Sequence, residues 1–322
     1  MHGHGRPIIS LDFNDWKVVA AGSEISYSPK DKTKFFPDFL NGYLKRLLTP
    51  EWHKEQLTAP PEKQHQLWKW YVSLCSYQQT LKPDPDGSYR QEPTGAMLGW
   101  NRLAYDLFLV KHNAELQKTL LERLKDRSKF QAARFELCVA ACMAVAGFKI
   151  KFEDEADNRR KHPEFIATHP SGYSIAVEAK SRHRDGVLGF KGGKASDKVE
   201  IEHLIRDALK KDVQMPYYIF IDVNLPLTDK IGEGNPWFVE LNESVKNLYA
   251  EWGRRTFPAN GVFFCNDPSH YSLDSFLKPR APFWCYEIQA KEPRFPLPNA
   301  DIHFRIGEAT IQRGNIPNEF PD

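Results

Sequence analysis

The sequence predicts an α/β fold that follows a mainly helical N-terminal region. Between residues 36 and 126, apolar side chains recur at the spacing of helices. The stretch HPEFIATHPSGYSIAVEAK, residues 162–180, predicts two strands joined by a turn. Residues 197–223 then predict an amphipathic helix followed by a buried strand. We therefore divide the chain into residues 1–127, mainly helical with a short hairpin, and residues 128–322, the α/β domain.

The remaining elements follow from the same spacing rules. Alternating apolar and polar residues predict a hairpin at residues 8–27, and residues 82–93, KPDPDGSYRQEP, predict a loop. Ser128 is a predicted N-cap for a long alanine-rich helix over residues 129–146, which Gly147 ends. The other predicted elements are a helix at residues 237–257 and strands at residues 261–265, 284–289 and 302–306.

Composition limits the classes of partner. The 322 residues carry a formal net charge of +2, so a nucleic acid would have to be held by local basic patches. Five scattered cysteines without a C-x-x-C pair indicate reduced thiols. The chain shows neither an apolar run that could span a bilayer nor a leader, so we expect a cytoplasmic protein without a membrane partner.

Two carboxylates and a lysine stand out in the strand pair. Because side chains alternate along a strand, Glu178 and Lys180 share one face, whereas Ile175 and Val177 share the apolar other face. Glu164 begins the partner strand. An ordinary explanation remains open at this point, since Glu178 and Lys180 could form a solvated ion pair on an exposed face.

A third acid lies upstream in the long helix. Glu136 is nearly alone as an acid among apolar residues, so that the helix is expected to be buried. A buried carboxylate needs a partner or a metal ion, because an unpaired buried charge is costly. Arg134 could supply that partner.

This order of helix glutamate, acid-led strand and acid-x-lysine strand resembles the PD-(D/E)xK nuclease superfamily, which has the fold of restriction endonucleases. The resemblance covers residues 130–226 and implies a restriction endonuclease-like core, with a central mixed sheet flanked by helices. Glu164 stands where the family usually has aspartate, so the geometry of a metal site would have to adjust. Residues 36–188 are also similar to an uncharacterised group of bacterial proteins with such a domain after a helical region. The matching residues are Glu136, Pro163-Glu164 and Glu178-Ala179-Lys180.

The resemblance implies Mg²⁺ or Mn²⁺ as the cofactor and phosphodiester hydrolysis as the reaction. Mg²⁺ takes oxygen ligands and keeps several waters. The expected ligands are Glu164, Glu178 and the backbone carbonyl of Ala179. Glu136 would bind the ion through water or hold a second ion. Lys180 would orient the attacking water or stabilise the developing negative charge. Glu136, Glu164, Glu178 and Lys180 are thus the predicted catalytic residues.

A basic, glycine-rich stretch, SRHRDGVLGFKGGK at residues 181–194, directly follows the motif. Its backbone could approach a phosphate chain closely, and such contacts position a nucleic acid without reading its sequence. A solvated surface loop would explain the same composition. The predicted substrate contacts are Arg182, His183, Arg184, Lys191 and Lys194.

We therefore expect a magnesium-dependent nuclease in a defence or repair setting, and DNA is favoured over RNA as its substrate. Dimers are common in this fold class because two strands must be cut, but the sequence shows no interface. A nuclease-like module that binds nucleic acid without cleaving it is the first alternative, favoured by glutamate at position 164. A protein-interaction module is the second, favoured by the near-neutral charge and the aromatic-rich helical region.

Overall fold

The computed structural model describes most of the chain. The described residues are 8–82, 85, 92–114, 116–153, 162–182, 199–211, 213–226, 236–252, 256–271, 274, 284–313 and 315–320. Within these ranges the chain is an α/β protein with a mixed sheet flanked by helices. None of the described helices is both long enough and apolar enough to cross a membrane.

A three-stranded antiparallel sheet opens the described chain, so the predicted hairpin gains one strand. It consists of β1 (Ile9–Phe13), β2 (Trp16–Ala21) and β3 (Glu24–Pro29). The turn between β2 and β3 requires glycine, since Gly22 has a φ of 63° and a Cβ there would lie 2.6 Å from the carbonyl oxygen of Lys111. The turn of the small sheet therefore lies directly against the backbone of Lys111.

Six helices follow, and the predicted apolar stripes are confirmed in four of them. The helix α2 was not predicted because it buries only Trp52 and Gln56 and therefore lacks an apolar stripe. Ser128 was wrongly predicted as an N-cap, since its hydroxyl donates to Asp126 instead and Lys129 precedes the helix. The helices are α1 (Phe36–Leu48), α2 (Pro50–Thr58), α3 (Gln66–Thr80), α4 (Gly95–Asn113), α5 (Lys118–Lys125) and α6 (Phe130–Val145).

The mixed sheet has six strands in sequence order. The central pairs β6/β7 and β7/β8 are parallel, and the flanking pairs β4/β5, β5/β6 and β8/β9 are antiparallel. The predicted strands around residues 165, 177, 220, 263 and 286 are confirmed. The strands are β4 (Lys149–Phe152), β5 (Phe165–Thr168), β6 (Ser174–Ser181), β7 (Tyr217–Asp222), β8 (Gly261–Asn266) and β9 (Trp284–Gln289).

The predicted strand at residues 302–306 is wrong, because this segment belongs to α9 (Asp301–Gln312). Ile302, Phe304 and Ile306 alternate as in a strand, yet Phe304 is 65% exposed. The buried positions Ile302, Ile306 and Ala309 instead follow helical spacing. A short apolar segment is ambiguous between the two periods until its exposed side is known.

Helices cover both faces of the mixed sheet. One face packs against α6, where Leu137 and Val139 lie in the same core cluster as Val177. The opposite face packs against α7 (Ile201–Ala208) and α8 (Pro236–Trp252). These two helices lie in the connections from β6 to β7 and from β7 to β8. Connections between parallel strands are right-handed, which places both helices on the same face of the sheet.

The helical region and the sheet share one core. Phe39 of α1 and Phe108 of α4 belong to the same buried cluster as Leu137, Val177 and Phe263. The first helices therefore complete the packing of the sheet face that α6 covers.

A buried ionic network ties these layers together. Three aspartates and three arginines form it, and no side chain among them is more than 6% exposed. Asp267, which follows β8, lies 3.1 Å from Arg102 of α4 and 3.2 Å from Arg313 beyond α9. Burial raises the pKa of Asp267, but these guanidinium groups outweigh it and hold the pKa well below its usual range. The members are Arg102, Asp106, Arg134, Asp222, Asp267 and Arg313.

Replacing Asp267 should therefore destabilise the whole fold. Asp267→Asn removes one buried negative charge and leaves its arginine partners with excess positive charge. Loss of one partner of a buried pair costs about 3–5 kcal/mol. Urea unfolding at pH 7 measures this change. The exposed Asp274→Asn serves as a matched control, and an equal effect of the two variants would contradict the prediction.

Candidate active site

Strand β6 places Glu178 and Lys180 as the sequence predicts. Ile175 and Val177 pack in the core on the α6 side, and Glu178 and Lys180 point to the side covered by α7. The Nζ of Lys180 lies 2.8 Å from Oε1 of Glu178. The side chain of Glu178 is 0% exposed and that of Lys180 is 21% exposed. The two residues thus form an ion pair whose carboxylate is buried and whose amine is partly exposed.

Two further charges approach this pair from the C-terminal end of α7. The Nζ of Lys211 lies 3.4 Å from Oε1 of Glu178, and the Nζ of Lys180 lies 3.4 Å from Oδ2 of Asp207. Neither Lys211 nor Asp207 was predicted as a site residue. Their only sequence signal is their place at the end of an amphipathic helix, where a lysine ordinarily stabilises the helix dipole.

A remote carboxylate fixes the start of α7. Glu240 of α8 accepts hydrogen bonds from the backbone N–H groups of Val199, Glu200 and Ile201, at 2.8, 2.7 and 3.3 Å. Such N–H groups have no partner inside the helix and favour a negative charge. The contact anchors the helix that carries Asp207 and holds its far end over β6.

Glu164 lies directly before β5 and next to this pair. Its backbone N–H donates to the carbonyl oxygen of Val177 at 3.0 Å, which brings its backbone beside Glu178. The charge of Glu164 also raises the pKa of Glu178 and that of Lys180. The structure therefore brings together Glu164, Glu178 and Lys180 from two adjacent strands.

The backbone carbonyl of Ala179 points toward the same strand edge as Glu164. Along β6, the N–H groups of Ala176 and Arg182 donate to the β7 side. Because backbone groups alternate along a strand, the carbonyl of Ala179 is directed to the β5 side. There the chain carries Pro163, which has no N–H to donate.

The surroundings of Glu178 make its carboxylate easier to protonate than an ordinary glutamate. Burial, followed by the charge of Glu164, raises the pKa of Glu178 to about 6, although Lys180 and Lys211 oppose this shift. Burial lowers the pKa of Lys180, but the nearby carboxylates outweigh it and leave the pKa above its usual value. Oε1 of Glu178 contacts the amine of Lys180, whereas Oε2 has no hydrogen-bond donor among the described residues. Oε2 thus keeps its lone pairs for a cation.

Glu136 lies on α6 and forms an ion pair of its own. Its Oε2 lies 2.6 Å from Nη2 of Arg123, so Arg123 and not Arg134 is its ion-pair partner. Arg134 contacts Asp222 instead, at 3.2 Å. The helix that carries Glu136 covers the face of β6 opposite to Glu178. In the described ranges there is no cluster of three or more histidine, cysteine or acidic side chains suited to a metal ion.

One of the five predicted substrate contacts, Arg182, lies among the described residues. His183, Arg184, Lys191 and Lys194 lie outside the described residues. Arg182 is described and is 8% exposed. Its N–H donates to the carbonyl of Asp222 and its own carbonyl accepts from Asn224, so the end of β6 is held firmly beside β7.

The residues at this site fit a hard divalent cation. Glu164 and Glu178 supply carboxylate oxygens, and Ala179 supplies a carbonyl directed to the same side. Mg²⁺ commonly uses one or two protein carboxylates, with water and a substrate phosphate filling its octahedral shell. Comparison of the chain with protein-family models, with curated proteins and with solved structures gave no match. The likeness to the PD-(D/E)xK superfamily therefore depends on the residues described above.

Replacing the buried carboxylate should change the pH dependence of stability. The pKa of Glu178 is about 6 in the fold against 4.5 ordinarily, so between these values the folded protein holds a proton that the unfolded chain has lost. Stability therefore falls as pH rises through this window. Glu178→Gln has no such proton to lose. The difference in free energy of unfolding between Glu178→Gln and the unaltered protein should therefore shift in favour of the variant by about 2 kcal/mol from pH 4.5 to pH 7.5.

Urea unfolding of both proteins at the two pH values measures this gain. Glu202→Gln, a carboxyl change on the outer side of α7, is the control and should show no such difference. If the stability of Glu178→Gln fell between pH 4.5 and 7.5 as steeply as that of the unaltered protein, the assignment of the proton to Glu178 would be wrong.

Proposed function

We propose that this protein is a metal-dependent nuclease that hydrolyses phosphodiester bonds with Mg²⁺ or Mn²⁺ as its cofactor. DNA is favoured over RNA as its substrate. One observation carries the proposal. The carboxylate of Glu178 is fully buried, lies beside Glu164, and has the amine of Lys180 2.8 Å away. A raised carboxyl pKa next to a specific cation is typical of functional sites, because burial of such a group costs stability.

The order of elements supports a restriction endonuclease-like core. The sequence predicted a helix, an acid-led strand, a turn, an acid-x-lysine strand, a helix and an apolar strand. These correspond to α6, β5, β6, α7 and β7. The acid-led and acid-x-lysine strands are antiparallel neighbours, and the apolar strand continues the sheet in parallel.

Each residue of the site has a role in such a reaction. Glu164, Glu178 and the Ala179 carbonyl would hold the cation. When bound, the ion polarises a phosphoryl oxygen and lowers the pKa of a coordinated water. The amine of Lys180 would donate to the attacking water or to the negative charge at phosphorus. Lys211 would stabilise Glu178 in the absence of the ion.

A binding module without cleavage is the second candidate. Two observations favour it: Glu136 is held by Arg123, and two lysines already balance the charge of Glu178. A cation would then be held by the two carboxylates of Glu164 and Glu178, because Asp207 contacts Lys180 instead. Such a module would bind nucleic acid through positive charges, with an affinity that falls as salt rises.

Cleavage of supercoiled plasmid in Mg²⁺ or Mn²⁺ tests the proposal. The unaltered protein should nick the plasmid, and Glu178→Gln and Lys180→Ala should each lower the rate at least about a hundredfold, as expected for loss of a charge at the reacting centre. Lys210→Ala is the matched control, because this neighbouring lysine is 57% exposed and lies outside the carboxylate pair. It should keep the full rate.

Three results would decide between the candidates. Unchanged rates in Glu178→Gln or Lys180→Ala would reject the nuclease assignment. Salt-dependent binding of plasmid without nicking would support the binding module. Absence of both nicking and binding would support a protein-interaction module.

Metal affinity should depend on pH through Glu178. A proton with a pKa of about 6 competes with the cation for this carboxylate. Mg²⁺ should therefore bind about four times more tightly at pH 7.5 than at pH 5.5, since the ionised fraction rises by that factor. Isothermal titration calorimetry measures both affinities. Glu178→Gln should lose the binding, whereas equal affinities of the unaltered protein at the two pH values would speak against this ligand.

A further inference from the structure

The three-stranded sheet β1–β3 presents an apolar face to the exterior. The strand registers align three rows of neighbouring side chains on this face. No member of these rows is charged, and the six largest side chains are 44–63% exposed. We call this surface the apolar sheet face. Its rows are Ile9-Ala20-Ile25, Leu11-Val18-Tyr27 and Phe13-Trp16-Pro29.

The opposite face of the same sheet is well packed. Val19 and Ala21 are buried at 0% and 1% exposure in the core cluster that contains α4. The N–H of Gly22 also donates to Nδ1 of His112 at 3.2 Å. The apolar sheet face therefore lies on a sheet whose central strand is packed against the core, and its exposure belongs to the folded protein.

The area of the face lies at the upper end of what a monomer exposes. Half-exposed side chains of this size each leave roughly 100 Å² open, so the six expose on the order of 600 Å² together. The largest apolar patch of an ordinary monomer covers about 300–600 Å². Two such faces in contact would bury about 1,200 Å², which reaches the range of stable protein interfaces.

We propose that the apolar sheet face joins two copies of this chain in a twofold dimer. A surface without charge offers nothing to a phosphate chain or to an acidic or basic peptide, so its partner must present an apolar surface of equal extent. A second copy presents that surface. Twisted sheets stack face to face with their strands about 30° apart, and a twofold axis makes the same patch complementary to itself.

The dimer does not depend on the proposed nuclease activity. It would nevertheless carry two copies of the site on β6 in one particle. An enzyme with two sites can act on both strands of a duplex, whereas a binding module with two sites gains affinity through linkage.

Analytical ultracentrifugation across a range of about 1–100 µM protein tests the proposal. The unaltered chain should reach twice its mass of 37.2 kDa. The double variant Leu11→Asp, Ile25→Asp places two charges on the face and should raise the dimer Kd at least about a hundredfold. Both positions are about half exposed, so thermal unfolding should show that the variant still folds.

A matched control separates this face from exposed apolar residues in general. Phe304→Asp, Ile311→Asp changes two side chains of α9 that are 65% and 66% exposed but lie outside the sheet. This control should dimerise like the unaltered chain. A monomeric mass of the unaltered chain at all concentrations, or a dimer that survives the Leu11→Asp, Ile25→Asp change, would overturn the proposal.

A vesicle flotation assay addresses the other apolar partner, a lipid surface. Vesicles of phosphatidylcholine with and without phosphatidylserine should leave the protein at the bottom of the gradient, because the face carries no lysine or arginine for anionic lipid. Flotation of the unaltered chain but not of the double variant would assign the face to membranes and overturn the dimer.

Discussion

Burial of one carboxylate in the middle of a sheet is the constraint on which the site depends. Strand β6 buries apolar side chains against α6 on one face, and the two-residue period then forces Glu178 inward on the other. An isolated buried charge would be costly, so its surroundings must compensate for it. Lys180 and Lys211 provide two positive charges, and the raised pKa of Glu178 makes its carboxylate easier to protonate.

The compensating groups are held by the architecture and not by local sequence. Lys211 reaches Glu178 because α7 connects two parallel strands and crosses the face of β6. The carboxylate of Glu240 fixes the start of α7 from the neighbouring crossover helix. Each contact joins residues about 30 to 40 positions apart, so the charge balance at the site exists only in the completed fold.

This separation explains which features could be predicted from the sequence. The periods of β5, β6 and α6, and the shared face of Glu178 and Lys180, are local properties, and the structure agrees with them. The partner of Glu136 was misjudged because Arg134 is near it in sequence, whereas Arg123 approaches from another helix. Lys211 was missed for the same reason, and the strand assigned around Phe304 was wrong because exposure there is decided by distant packing.

The ionic network around Asp267 determines whether this chain can be divided into independent segments. Its arginines come from α4, from α6 and from the segment after α9. Residues from the first half of the chain and from its C-terminal segment therefore contact the same aspartate. A fragment that ended near residue 127 would contain Arg102 and Asp106 but would lack their ion-pair partners, Asp267 and Arg313. Each of these pairs joins the helical region or α6 to residues beyond β8, so no segment of the chain completes the network alone.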